Sequence, residues 1–201
     1  MELILIRHGQ TLFNQLGLVQ GWSDSPLTEL GIQQAQKAAK ILENEKIDYA
    51  YSSTSERAYD TCAIALGNRN LTITKDKRIK EFNFGIFEGT LDAYKMFYTR
   101  NVNFKEGKGF YEDCKPQGGD DTDMLLERFN NFIDEIYPKH KNDTVLLSSH
   151  GVALTAFVLQ HFPQEIKEIY QGGRFFMKNA AVSKIVIDDQ GWHLIYVNKE
   201  D

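Results

Sequence analysis

The sequence predicts an α/β fold: a three-layer α/β/α sandwich around a mostly parallel central sheet, with an antiparallel strand at its C-terminal end. Three observations lead there. Strand-like apolar runs alternate with helical stretches over most of the chain. The runs Leu3-Ile4-Leu5-Ile6 and Val145-Leu146-Leu147 are continuous rather than alternating, the pattern of buried strands. The C-terminal stretch divides at Asp188-Asp189-Gln190-Gly191 into two strand-like halves, a hairpin that must add at least one antiparallel strand. No linker or repeat interrupts the chain, so residues 1–201 are expected to form a single domain.

Taken in order, residues 2–6 form the first strand. From Thr28, an N-cap candidate, the residues Leu30, Ala35, Ala38, Ala39, Ile41 and Leu42 make a helical stripe. Ile47 to Tyr51 is a short strand ending at Ser52-Ser53. Ser53 or Thr54 can cap the next helix, which carries Ala58, Cys62, Ile64, Ala65 and Leu66 before Gly67. Leu71 to Thr74 is another strand. Residues 120–137 are helical, with Leu125, Leu126, Phe129, Phe132, Ile133 and Ile136 on one side. Thr144 to Ser149 is a strand, and 152–162 an apolar helix.

The interval 82–118 is different. Phe82, Phe84, Phe87, Tyr94, Phe97, Tyr98, Phe104, Phe110 and Tyr111 are mixed there with Lys95, Arg100, Lys105 and Lys108. Two readings stand side by side: an aromatic cap over a pocket, or a helix over 88–100 packed on the domain.

Composition narrows the function. A net charge of −5 argues against nonspecific nucleic-acid binding, though it leaves room for a local cationic pocket. No apolar run is long enough to cross a bilayer, and no basic leader precedes an apolar core, so a cytoplasmic protein without a membrane partner is expected. Two cysteines, Cys62 and Cys114, make no disulfide framework.

In a parallel sheet, ligands sit beyond the carboxyl ends of the strands. Arg7 and His8 follow the first strand there, and His150 follows Thr144–Ser149. Ser52, Ser53 and, one turn on, Arg57 follow the second; Glu81 follows the polar extension of the third. Each alone has an ordinary structural explanation, but together they suit phosphoryl chemistry. Arginine's planar fork binds phosphate oxygens in pairs. A neutral imidazole is a nucleophile, and neighbouring guanidinium groups keep it unprotonated. Gly9 leaves space for close approach, and the backbone N–H groups after it are expected to cradle a phosphate. Glu81 suits a general acid for the leaving oxygen, with Glu88 as competitor.

Other phosphoryl motifs are missing. There is no G-x-x-x-x-G-K-[ST] and no G-x-G-x-x-G. Neither cysteine is followed by arginine at the spacing of a cysteine phosphatase loop. Asp121-Thr122-Asp123 is preceded by Gly118-Gly119 rather than by the apolar strand an aspartate phosphatase needs. No His, Cys and carboxylate cluster has metal-ligand spacing, so neither metal nor cofactor is expected.

These residues resemble those of the histidine phosphatase superfamily, in its phosphoglycerate-mutase-like branch, nearly end to end. Arg7-His8-Gly9-Gln10-Thr11 with Asn14 is similar to its R-H-G-x-T-x-x-N signature. Gln20-Gly21 and Ser25-Pro26-Leu27-Thr28-Glu29-Leu30-Gly31 continue it. Ser52-Ser53 with Arg57-Ala58 and Thr61 resembles S-S-x-x-x-R-A-x-x-T. Glu81, Phe84-Gly85 and Glu88-Gly89 match the acid-bearing segment, and Ser149-His150-Gly151 the second histidine.

The resemblance implies that His8 becomes a phosphohistidine. Arg7, Arg57 and His150 would hold the phosphoryl group, assisted by Asn14, with Gln20, Gly21 and Gly151 also lining the substrate site. Glu81 would donate a proton and then help activate water. The implied partner is a small phosphomonoester. Mutases of this branch carry an acid segment resembling E-R-x-Y-G, whereas Glu81 here precedes Phe82-Asn83-Phe84-Gly85, which favours a phosphatase. A cofactor-dependent phosphoglycerate mutase and a non-catalytic phosphate-binding module are the alternatives.

Overall fold

The computed structural model describes residues 1–91, 113–171 and 173–200. Its strands are β1 (Glu2–Arg7), β2 (Tyr49–Ser53), β3 (Ile73–Asp76), β4 (Thr144–Ser149), β5 (Val182–Asp188) and β6 (Gly191–Lys199). They form one sheet in the order β3-β2-β4-β1-β5-β6. The β1, β2, β3 and β4 strands run parallel, while β5 lies antiparallel to β1 and β6 antiparallel to β5. The hairpin therefore adds two antiparallel strands.

Six helices accompany the sheet among the described residues: α1 (Leu12–Leu16), α2 (Glu29–Ile41), α3 (Glu56–Leu66), α4 (Thr122–Ile136), α5 (Gly151–His161) and α6 (Pro163–Ile169). The continuous apolar runs explain the three layers. Successive side chains of a strand point to opposite faces. Leu3, Leu5, Val145 and Leu147 enter one core with Phe129, Phe132 and Phe157 of α4 and α5. Ile4, Ile6 and Leu146 enter a second with Ala38, Cys62 and Ala65 of α2 and α3. Burying each such aliphatic side chain stabilises the fold by roughly 1.5–3 kcal/mol.

Differences from the sequence reading have local causes. The third strand is Ile73–Asp76 rather than 71–74, because Lys75 and Asp76 pair with Ser52 and Ser53. It is the sheet edge, so its polar residues meet solvent instead of breaking a core. Since β2 runs through Ser53, neither Ser53 nor Thr54 caps α3; that position falls to Ser55. Thr28 does cap α2, accepting the Gly31 N–H, and Asp121 caps α4 through Met124. Two short helices, α1 and α6, carry too little periodicity to be read beforehand.

Of the interval 82–118, residues 92–112 lie outside the described residues. Tyr94, Phe97, Tyr98, Phe104, Phe110 and Tyr111 are among them, as are Lys95, Arg100, Lys105 and Lys108. The described flank is core: Phe82, Phe84 and Phe87 are buried in the α4/α5 cluster. Residues 88–91 are not helical.

Candidate active site

Strand register assembles the site. The pairing of β1 with β4 sets Arg7 opposite Ser149, and the His8 N–H donates to the Ser149 carbonyl at 3.0 Å. On the other side of β4, Ser52 pairs with Ser148. The ends of three parallel strands thus bring His8, Ser53 and His150 together. The His150 Nε2 lies 2.8 Å from Ser53 Oγ, and the His8 and His150 rings meet edge to face with centroids 5.3 Å apart.

His8 is buried, and its Nδ1 lies 2.8 Å from the Gly9 carbonyl. A carbonyl only accepts, so Nδ1 carries the proton and Nε2 presents its lone pair. Burial, then Arg57 and Arg7, push the His8 imidazole well below its usual range. Burial likewise lowers His150, reinforced by Arg57, His8, Arg128 and Arg7. Two neutral imidazoles therefore sit among fixed cations.

Arg7 donates to the Met177 carbonyl at 2.8 Å and lies 5.2 Å from the Phe176 ring centroid. Burial draws its guanidinium down to about 10; the charge of Glu81 opposes this and that of Arg57 adds to it. Gly151 makes room here, since a Cβ would stand 2.8 Å from the Phe176 ring. Arg57 is completely buried. Its Nη1 donates to the Ser23 carbonyl at 2.9 Å and to Asp24 at 2.8 Å, and its Nη2 to the Gly21 carbonyl at 2.8 Å. Among the described residues, the Nε atoms of Arg7, Arg57 and Arg128 and the Nδ1 of His150 are buried without a hydrogen-bond partner.

The loop that receives Arg57 is held from below by Glu88. That carboxylate accepts from the backbone N–H groups of Gly21, Trp22, Ser23 and Phe84 and from the Ser23 hydroxyl. Burial pushes Glu88 up, but these donors outweigh it and hold the group below the usual carboxylate range. Gly21 is required by space: a Cβ there would lie 2.1 Å from the Phe82 carbonyl oxygen.

Glu81 is buried at the start of α5. Its Oε2 accepts from the Val152 N–H at 2.9 Å, and its Oε1 from Ala153 at 2.8 Å and Phe82 at 2.9 Å. His150, the N-cap, makes no side-chain cap. Glu81 supplies that function from outside the helix.

The backbone cradle expected after His8 is not present. Gly9 N–H donates to Thr61 Oγ1, Gln10 to Gln34, Thr11 to Asn14 and Leu12 to the Pro26 carbonyl. Gly9 is small for another reason: a Cβ would stand 2.4 Å from the Gly31 carbonyl oxygen, so the loop lies directly on the start of α2. Asn14 Oδ1 closes a capping box with Thr11. The Gln20 carboxamide accepts from Thr11 Oγ1 at 2.5 Å and donates to Ser25 at 2.9 Å, tying the ends of the Arg57-binding loop together.

Nearly the whole chain, residues 3–200, matches the family model of the histidine phosphatase superfamily (branch 1). This chain is a histidine phosphatase superfamily member. Phosphoserine phosphatase 1 of Hydrogenobacter thermophilus is 29% identical over 195 residues, covering 94% of this chain and 88% of the relative. The probable phosphoglycerate mutase GpmB of Yersinia pestis is 30% identical over 199 residues, covering 96% and 87%. Among solved structures, Bacillus stearothermophilus YhfR superposes with a TM-score of 0.83 at 28% identity, covering 100% of this chain and 98% of that one.

In this histidine phosphatase superfamily member, several supporting residues escape sequence reasoning. Asp24 orients Arg57 and also accepts the Glu56 N–H at 2.6 Å. Asn179 Nδ2 and the Ala180 N–H both donate to the His8 carbonyl, at 3.0 Å and 3.3 Å. Arg128 lies in a helix whose pattern marks only its apolar face. None carries a local signal, because each acts on a backbone group far away in sequence.

Proposed function

We propose that this protein is a phosphomonoester hydrolase working through a phosphohistidine on His8. One observation carries the reading: His8 Nδ1 is tied to the Gly9 carbonyl, which leaves a neutral Nε2 free to attack. Arg7 and Arg57 support it: the charges of both act on His8, and the Nε of each is buried without a hydrogen-bond partner among the described residues. Buried donors without acceptors cost about 1–3 kcal/mol each, and a phosphoryl group offers acceptors on three oxygens.

The steps follow from the side chains. The Nε2 lone pair of His8 attacks phosphorus, the bond to the leaving oxygen breaks, and Glu81 gives that oxygen a proton. Arg7 and Arg57 balance charge on the equatorial oxygens, with His150 and Asn14 beside them. Water, deprotonated by Glu81, then attacks phosphorus; the P–N bond breaks, and phosphate and neutral His8 are released. Gln20, Gly21 and Gly151 serve by shaping the loop and the rim. Arginines supply the positive charge that a divalent ion supplies in other phosphoryl transfers, and the reaction is proposed to be metal-independent.

A mutase is the second reading, favoured by the similarity to GpmB. Against it, the residue after Glu81 is Phe82, fully buried in the core, where a substrate-facing cation would be needed. The substrate is proposed to be a small phosphorylated metabolite. Rapid quench with labelled p-nitrophenyl phosphate tests the reading. Label should be acid-labile, base-stable and lost in His8→Ala. Label on a serine, aspartate or cysteine overturns it.

A further inference from the structure

Residues 80–84 lie outside regular secondary structure, yet they carry Glu81, whose position must be accurate to fractions of an ångström for proton transfer. The segment is fixed through its backbone carbonyls. The Arg78 and Lys80 carbonyls accept from Arg128 Nη1 at 2.7 Å and 2.6 Å. The Ile79 carbonyl accepts from Ser149 Oγ at 2.8 Å. The Glu81 carbonyl accepts from Arg128 Nη2 at 2.7 Å and from Trp22 Nε1 at 3.0 Å. Four consecutive carbonyls are thus held by side chains from α4, β4 and the loop after α1, and Arg128 holds three of them.

Arg128 is itself oriented. Its Nη2 lies 3.4 Å from Asp120 Oδ2, the same oxygen that accepts the Asn83 N–H at 3.0 Å. One guanidinium therefore spans the backbone on one side of Glu81, while Asp120 anchors the other. The carboxylate of Glu81 is meanwhile fixed to the first turn of α5. Side chain and backbone are clamped independently.

We infer that Arg128 is a positioning residue for Glu81: it touches no reacting atom and sets where the proton is delivered. The inference rests on Glu81 being the general acid. Lysine cannot substitute, because one ammonium on a flexible stem does not match three carbonyls held by a rigid fork.

The test compares phosphorylation rates for an alkyl phosphate, whose alkoxide needs a proton, with the nitrophenolate burst from p-nitrophenyl phosphate, which needs it far less. Arg128→Ala should slow the alkyl substrate roughly 10- to 100-fold, part of the 10²–10⁴ that general-acid help supplies. The burst should change less than threefold or so. Combined with Glu81→Gln, it should add no further loss on the alkyl substrate. Arg128→Lys keeps the charge and is the variant to use if the alanine form does not fold; it should show the same selective loss. Equal losses on both substrates, additivity with Glu81→Gln, or full rescue by lysine each overturn the inference. The acid reading fails separately if Glu81→Gln alone is indifferent to the leaving group, and the inference then falls with it.

Discussion

The imidazole rings of His8 and His150 meet edge to face at 62°, both buried and both held well below the usual imidazole range, mainly by burial and then by Arg57. Their neutrality has a consequence for stability. Below about pH 6.5 the unfolded chain protonates these histidines and the folded chain does not, so the unfolded state binds more protons. Stability is fully present above that value and is lost as the pH falls below it, by up to about 1.4 kcal/mol per histidine per unit. His161, lowered by burial, adds to the slope. Melting curves from pH 7.5 to 5.5 should show this fall, and His8→Asn should flatten it. A melting temperature indifferent to pH would contradict the assigned protonation states.

Gly21→Ala should damage the site without touching a charged group. Its Cβ would lie 2.1 Å from a backbone oxygen, which cannot swing aside as a side chain can. The expected destabilisation is about 1–3 kcal/mol. Because the Gly21 carbonyl also receives Arg57, kcat/KM should fall beyond what lost stability explains. Urea unfolding alongside kinetics separates the two effects.

Glu88→Gln distinguishes a scaffold carboxylate from an acid. Replacing an acceptor of five donors by an amide turns an N–H₂ group toward some of them. Hydrogen bonds to charged groups are worth about 1.5–3 kcal/mol each, so a loss of at least about 2 kcal/mol is expected. Activity losses should be equal for alkyl and nitrophenyl substrates. Greater loss on the alkyl substrate would move the proton donor from Glu81 to Glu88.

Exhaustive chelation should leave turnover unchanged. In the proposed mechanism the arginines supply the charge that a divalent ion supplies in other phosphoryl transfers. A tenfold loss restored by one divalent ion would contradict the proposed mechanism.

Sequence and structure part company at identifiable places. The continuous runs of β1 and β4 announced buried strands because a strand covered on both faces has no polar side to display. That Arg7, His8, Arg57, Glu81 and His150 lie together is legible because strand ends in a parallel sheet converge. The state of the backbone after Gly9 was not. Whether its N–H groups face a ligand or Thr61, Gln34 and Asn14 depends on side chains arriving from α1, α2 and α3. The bounds of edge strand β3 differ from the sequence expectation because an edge imposes no apolar pattern. Arg128 was invisible because its partners are carbonyls, which every sequence position possesses.

The two-sided burial of β1 has one more effect. With Leu3 and Leu5 on one face and Ile4 and Ile6 on the other, a slip of one residue against β4 exchanges leucines for isoleucines and leaves both faces apolar. Hydrophobicity alone does not choose the alignment. The polar ends contribute what the apolar faces do not: Thr144 Oγ1 donates to Glu2 Oε2 at 3.3 Å across the β1–β4 pair, and Arg7 donates to the Met177 carbonyl at 2.8 Å. Arg7, which the proposed mechanism sets beside the phosphoryl group, is thus also one of the residues that hold β1 in register, so the alignment of the sheet and the geometry of the candidate site depend on the same side chain.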